Sequence, residues 1–258
     1  MAILTDVQLL KQRRTKIVAT VGPASSSPAR VEALIQSGVD VFRLNMSHGT
    51  HQDHATNLAR IRQCAEKARR PIAVLGDLCG PKIRVGEFTG GGIDIAPGDV
   101  VVVTTRQVPG EVGLIPCQYK GLTGDVEPGS RILIADGLME LRVETINGSE
   151  VQCTVIQGGH VTNRKGINLP NVAVSAASLT DKDKEDGPFI LGEGVDFLAL
   201  SFVRRRSDLE ELRDLMDTLG RSAALVAKIE RPEALEGIDG ILDVADAIMV
   251  ARGDLGVE

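Results

Sequence analysis

Between residues 16 and 76 short apolar runs alternate with longer segments that carry a narrow apolar stripe. KIVATVG (16–22), VDVFRLN (39–45) and PIAVLGD (71–77) read as strands, and their near-continuous apolar character suits strands buried on both faces. SSPARVEALIQSG (26–38) predicts a helix: Ser27 caps it, Pro28 sits in its first turn, Gly38 closes it, and Val31, Leu34 and Ile35 form its buried stripe. THQDHATNLARIRQCAEKA (50–68) predicts a second helix.

The texture changes at Val85. From there to about Pro170 the chain is β sequence punctuated by Gly and Pro, with INGSE (146–150) reading as a hairpin turn between alternating strands. TGGG at 89–92 reads as a hinge into this region. The β–α rhythm then resumes. VDFLALSF (195–202), ALVAKIE (224–230) and DAIMVARGD (246–254) are the next strands. SDLEELRDLMDTLG (207–220) predicts a helix with a Ser207–Glu210 capping box, and PEALEGIDGILDV (232–244) a helix opened by Pro232. Gly187-Pro188 in DGPF (186–189) predicts an early end to the helix before the fourth barrel strand.

Strands alternating with helices imply a parallel sheet covered by helices. The expected fold is α/β: an incomplete (β/α)8 TIM barrel with an inserted small β-barrel domain. Residues 1–85 and 171–258 would form the discontinuous barrel domain, lacking its last two strands, and 86–170 the inserted β lid. An open doubly wound sheet is the alternative on this pattern.

Composition narrows the class. Aromatic residues are 2% with no Trp, so the core is aliphatic. A formal charge of −6 gives no basic footprint for nucleic acid. The cysteines at 64, 79, 117 and 153 form no CxxC pair, which suits a reduced, cytoplasmic chain. No apolar run approaches the ~18 residues of a membrane span. The opening MAILTDVQLLKQRRTK places its charges after its apolar residues, the reverse of a secretory signal.

Barrel active sites lie at the carboxyl ends of the strands. Those ends here carry Arg43, Asn45 and Ser47; Asp77; Ser201; Lys228 and Glu230; Arg252 and Asp254. Lys228 and Glu230 are two apart, so they share one face of their strand. With Asp254 on the next strand they could hold a divalent metal beside a cation, or simply form a buried salt bridge; spacing leaves both open. Two carboxylates suit Mg²⁺, and Arg43 suits a phosphate or carboxylate. There is no Walker A loop and no HExxH motif. VRRRSD (203–208) reads as a solvated turn, and His51 and His54 as surface or helix-face histidines.

KIVATVGPAS, VFRLNMSHG, GDLCGPKIRVG, KGINLP, LTDKDKED, DFLALSFV, AKIERPEAL and IMVARGDLGVE occur in this order. Together they resemble pyruvate kinase along essentially the whole chain. The resemblance implies phosphoryl transfer from phosphoenolpyruvate to ADP, giving pyruvate and ATP. It implies Mg²⁺ on Glu230 and Asp254, Lys228 stabilising the transferring phosphoryl group, Arg43 on its phosphate, and the Gly253 backbone at the substrate carboxylate. It places Thr20, Asn45, His48, Arg84 and, from the lid, Lys165 at the nucleotide. Asn45, Ser47 and Asp77 match a K⁺ site, but position 78 is Leu, and Lys82 stands where potassium-dependent members carry Glu. An ammonium there would replace K⁺.

Family members continue past the equivalent of Glu258 with two further strands and a regulatory, oligomer-forming domain. The expectation for these 258 residues alone is therefore little or no turnover and two raw sheet edges. The other readings are an inactive truncated product and a Mg²⁺-dependent lyase acting on an enolpyruvate.

Overall fold

A computed structural model describes residues 13–257; the first twelve residues of the amino-terminal run, and Glu258, lie outside the described residues. Three parallel strands and two helices come first: β1 (Val18–Thr20), α1 (Pro28–Gln36), β2 (Val41–Asn45), α2 (His51–Lys67) and β3 (Ala73–Asp77). A run of β structure follows: β4 (Gly92–Ile95), β5 (Val100–Thr104), β6 (Leu114–Pro116), the single turn α3 (Leu122–Asp125), β7 (Arg131–Ile134), β8 (Met139–Asn147), β9 (Glu150–Gln157), β10 (Gly159–Thr162) and β11 (Ile167–Asn168). The alternation then returns with α4 (Asp181–Gly192), β12 (Phe197–Leu200), α5 (Arg206–Thr218), β13 (Ala224–Ile229), α6 (Glu233–Glu236), α7 (Ile238–Leu242), β14 (Ala247–Val250) and α8 (Arg252–Leu255).

The sheet order is β1-β2-β3-β12-β13-β14, every neighbouring pair parallel. Strands thus follow one another around the sheet without a reversal. A doubly wound sheet turns back on its first strand at a switch point, so that alternative is excluded. The arrangement is an incomplete (β/α) barrel. Among the described residues each of β1 and β14 has one strand neighbour, and Val18, Ile248 and Val250 are exposed along these edges.

Side-chain alternation divides the sheet into two faces. Phe42 and Leu44 of β2 point outward into the main core, which also holds Val31 and Ile35 of α1, Leu58 and Ile61 of α2, and Leu209 and Leu212 of α5. The inner face holds a smaller cluster of Leu75, Ala199 and Val226, flanked by Val41 and Phe197. Two residues further along the same faces stand Arg43, Asp77, Ser201 and Lys228. The polar strand ends therefore rest directly on an apolar floor.

The second large sheet has order β11-β7-β8-β9-β5-β6, with β4 and β10 paired beside it. Its aliphatic core, running from Ile83 to Val174, is separate from the first. The predicted INGSE turn joins β8 to β9, with Gly148 at φ +59°. The outgoing and returning chains cross side by side: the Val85 amide donates to the Lys165 carbonyl at 2.9 Å and the Ile167 amide to the Ile83 carbonyl at 2.9 Å. TGGG is not at this crossing. Gly90 and Gly91, at φ +87° and +90°, make a turn leading into β4.

Several local expectations are corrected. The α4 helix continues through Pro188 to Gly192, because a Thr180–Asp183 capping box starts it and Asp183, Asp186, Gly187, Ile190 and Leu191 bury one face. His51 also clasps it, with Nε2 at 2.8 Å from Asp186 and its ring stacked on Phe189. The α5 helix begins at Arg206, capped by the Asp208 carboxylate, which accepts from the amides of Arg204 and Arg205. Glu210, the expected capping partner, pairs with Arg206 at 2.7 Å instead. Gly237 splits the helix after β13 into α6 and α7. His54 is buried, and its Nε2 donates to the His48 carbonyl at 2.8 Å. Among the described residues no helix is long and apolar enough to cross a membrane.

All four cysteines are free thiols. Burial pushes the Cys117 thiol up to about 11 and the Cys153 thiol up to about 12. A raised pKa leaves almost no thiolate at pH 8, and the thiolate is the reactive form. Cys79 is the one that is not buried. A disulfide reagent at pH 8 is expected to modify Cys79 first, with Cys117 and Cys153 reacting only after denaturant is added; peptide mapping reads the order.

Candidate active site

The polar strand ends form one connected network. Asp77, 1% exposed, ends β3. Its Oδ2 accepts from Arg43 Nε at 2.6 Å, with Arg43 Nη2 at 2.5 Å. Its Oδ1 lies 3.3 Å from Lys228 Nζ and 3.4 Å from Ser201 Oγ. Lys228 Nζ donates to Ser201 Oγ at 2.7 Å, and Ser201 Oγ donates to the Leu78 carbonyl at 2.7 Å. Lys228 Nζ also lies 3.0 Å from Glu230 Oε1, as their shared strand face requires. Arg43 Nη1 reaches Thr20 Oγ1 at 3.0 Å, which brings in β1. Side chains from β1, β2, β3 and β13 are thus joined, with Ser201 linking in from just past β12.

Glu230 is 2% exposed, and its Oε2 accepts the Phe202 amide at 2.8 Å. Phe202 holds φ +56°, a conformation costly for a bulky residue, roughly 1–3 kcal/mol. Opposite it, Gly80 at φ +63° approaches so closely that a Cβ there would lie 2.7 Å from the Ser201 carbonyl. The strained turn at Ser201–Phe202 aims one backbone donor at Glu230 and a hydroxyl at Lys228.

Asp254 lies in the turn α8 rather than on a strand end as the pattern predicts, since β14 stops at Val250. Its Oδ1 pairs with Lys82 Nζ at 3.2 Å, and Lys82 lies 6.0 Å from the centre of the Phe202 ring. Gly253 is exposed in the same turn. Asn45 and Ser47 form a local loop, the Ser47 amide donating to Asn45 Oδ1 at 3.1 Å. Leu78 buries its side chain fully in the main core. His48 is exposed; its amide donates to the Asn45 carbonyl at 3.2 Å and its carbonyl accepts from His54. Arg84 and Lys165 sit at the crossing into the second sheet, where Arg84 Nη1 donates to the Arg164 carbonyl at 3.1 Å.

Three residues the motif pattern did not single out join the site. Phe202 left no sequence signal, since a positive φ at Phe is invisible in composition. Arg231, next to Glu230, is 5% exposed and donates to the Val172 carbonyl at 2.9 Å. Arg204, from the run read as a solvated turn, is largely buried and contacts the Val174 and Ala176 carbonyls.

Among the described residues no group of three or more His, Cys, Asp or Glu is gathered to hold a metal. Glu230 and Asp254 follow the ends of the paired strands β13 and β14, and each is paired with a lysine, Lys228 at 3.0 Å and Lys82 at 3.2 Å. A pair of hard carboxylates fits Mg²⁺, which is bound through one or two carboxylates while keeping waters or taking substrate oxygens.

The fold and this strand-end network define a (β/α)-barrel protein with an interrupting β region and a charged, phosphate-suited centre. Residues 12–258 match the family model for the pyruvate kinase barrel domain. The chain is 45% identical over 246 residues to a pyruvate kinase of Corynebacterium glutamicum, covering 95% of this chain and 52% of the relative. It is 46% identical over 246 residues to that of Mycobacterium intracellulare, with the same coverage, and 43% identical over 248 residues to that of Staphylococcus aureus, 95% of this chain and 42% of the relative. The chain belongs to the pyruvate kinase family. It spans about half the length of the curated relatives it matches.

Asp77 sits between two cations, so removing its charge leaves both facing a buried neutral group. Asp77→Asn keeps the shape and is expected to destabilise the protein by about 3 kcal/mol. Urea unfolding with an unchanged m-value would register that loss; a shift under 1 kcal/mol would mean solvent screens the site.

Proposed function

We propose that this chain carries the phosphoenolpyruvate, Mg²⁺ and nucleotide contacts of a pyruvate kinase, transferring the phosphoryl group to ADP. The carrying observation is the network of Arg43, Asp77, Lys228 and Glu230 at the strand ends of a chain of this family. Phosphoryl transfer asks for positioning and charge neutralisation more than covalent help. Bound Mg²⁺ would supply charge neutralisation at the phosphoryl oxygens, held by Glu230 and Asp254. Lys228 and Lys82, which now pair with those carboxylates, would then turn their ammonium groups to the anionic substrate. Arg43 presents its outer edge to the phosphate while Asp77 fixes its inner edge. Gly253, without a side chain, leaves its backbone open to the substrate carboxylate.

Thr20, Asn45, His48, Arg84 and Lys165 would contact the nucleotide, and residues 86–170 would act as a lid that excludes water during transfer. The lyase reading gains no support from the relatives, all named pyruvate kinases. A cytoplasmic location suits the free thiols.

The test is ADP-dependent loss of phosphoenolpyruvate with pyruvate formed, coupled to NADH oxidation, beside Mn²⁺ binding read by water-proton relaxation. Glu230→Gln is expected to weaken Mn²⁺ binding in the presence of phosphoenolpyruvate at least ~10-fold. Lys228→Met is expected to lower whatever turnover the wild-type chain shows ~10²–10³-fold while leaving metal binding nearly intact. A wild-type chain that binds neither Mn²⁺ nor phosphoenolpyruvate would sink the reading.

Lys82 stands where a tethered ammonium can serve in place of K⁺. Whatever turnover the protein shows is expected to be the same in K⁺-free, Na⁺-free buffer as with added KCl, and Lys82→Glu is expected to make it rise with KCl. A wild type silent without K⁺ and awakened by it defeats this assignment.

A further inference from the structure

The segment returning from the second sheet to the barrel, residues 170–179, belongs to no helix or strand; past a turn in which Asn171 holds φ +60° it alternates buried and exposed positions: Val172, Val174 and Ser178 are buried, Asn171, Ala173, Ser175 and Ala177 exposed. Every second carbonyl of an extended chain points the same way. Here those carbonyls meet two arginines. Arg231 donates to the Val172 carbonyl at 2.9 Å. Arg204 donates through Nη1 to the Val174 carbonyl, and through Nη2 to the Ala176 carbonyl at 2.8 Å and to Ser178 Oγ at 3.1 Å. One planar guanidinium thus spans three consecutive positions of the repeat, which a lysine's single point of charge cannot do. Glu233 holds Arg231 at 3.2 Å, and Asp208 lies 3.7 Å from Arg204 Nε.

The opposite side of the same segment is tied to the second sheet's domain. The Ser175 amide donates to Asp125 Oδ2 at 2.9 Å, and Ser175 Oγ lies 2.9 Å from the Tyr119 hydroxyl, which also bonds Asp125. The segment is therefore a strap fastened on one side to the barrel's strand ends and on the other to the β region. Both arginines are close in sequence to the network around Glu230: Arg231 follows it, and Arg204 is two residues beyond Phe202, whose amide donates to Glu230. A cavity of about 20 Å³, room for one water, lies between strap, crossing and strand ends, lined by Lys82, Ile167, Phe202, Arg204 and Arg231 among others.

We propose that Arg204, seconded by Arg231, is a positioning residue that clamps the return strap by its alternate carbonyls and so fixes where the inserted β domain sits over the strand ends. The clamp goes beyond the catalytic reading and rests on it only for the motion that the clamp restrains.

The strap, NVAVSAASL, is rich in the small aliphatic residues after which elastase cuts. Native-state proteolysis of the full 258-residue chain reports its opening, because cleavage follows the population of the open form when reclosing is fast. Cleavage between Asn171 and Ser178, mapped by mass spectrometry, is expected to be about ten-fold faster in Arg204→Ala than in wild type. Arg204→Lys, able to restore one carbonyl contact, is expected to fall between them. Arg205→Ala, at the exposed neighbour, is expected to match wild type. Thermal unfolding identifies which variants are folded at the assay temperature. A folded Arg204→Ala cleaved at the wild-type rate overturns the clamp, as does Arg205→Ala accelerating equally, which would assign the effect to the α5 cap. If Arg204→Ala does not fold, Arg204→Lys decides: wild-type cleavage overturns the proposal and faster cleavage supports it. The readout needs no turnover, so it stands or falls apart from the kinase reading.

Discussion

The buried carboxylate of Asp77 is the point on which the strand ends are organised. One oxygen holds Arg43 from β2, and the other faces Lys228 from β13 and Ser201 from the end of β12. Two cations a few ångströms apart on an apolar floor would repel one another and lose hydration without an anion between them. Asp77 removes that conflict and in doing so sets the direction in which each cation points. Arg43 keeps one edge of its guanidinium for something else; Lys228 is shared between Asp77 and Glu230. The geometry is a preorganised, charge-balanced centre in which Asp77 and Glu230 hold Arg43 and Lys228. The floor matters as much: Leu75, Ala199 and Val226 occupy the inner face two residues before Asp77, Ser201 and Lys228, so the period of the strand carries polar groups to the rim and apolar ones beneath.

That period is why so much of the barrel was legible. Strands buried on both faces read as apolar runs, and a polar residue at the end of such a run has few places to go except the rim. Arg43, Asp77, Lys228 and Glu230 follow from this rule alone. What failed followed in part from partners distant in the chain and in part from local alternatives that the pattern does not rank. Helix α4 survives Pro188 because His51, 135 residues before Asp186, clasps it, a contact absent from any local window. Helix α5 takes Asp208 rather than Glu210 as its cap because Arg204 and Arg205 turn their amides to it. Asp254 lies a helical turn past β14, since β14 pairs only as far as Val250. Arg204 looked solvated because arginine runs before helices usually are; its burial depends on a strap that arrives from residues 172–178, after a long excursion through the β region.

The two cores explain how that excursion is tolerated. The second sheet completes its own aliphatic interior, from Ile83 to Val174, and needs no side chain from the barrel core to do so. Its attachment is therefore made of hydrogen bonds: the paired crossing at Arg84 and Gly166, and the strap under Arg204 and Arg231. Bonds of this kind fix a position without committing large apolar area, so they can open and reform at modest cost. A domain joined through a second hydrophobic core could not do this.

The same charge accounting bears on the monovalent cation. A carboxylate offers about four lone-pair sites, and on Asp77 three of these already meet Arg43 through two nitrogens and Lys228. An ion seeking Asp77 as a ligand competes with all of them. The Leu78 carbonyl, the next donor in line, is taken by Ser201 at 2.7 Å, and the Leu78 side chain is turned into the core. Meanwhile Lys82 pairs with Asp254 at 3.2 Å. Lys82 belongs to the segment that leads into the β region. Its arm crosses the face of Phe202, the residue strained to serve Glu230. A tethered ammonium in that position ties the charge of the rim to the crossing segment, which a freely exchanging ion cannot do.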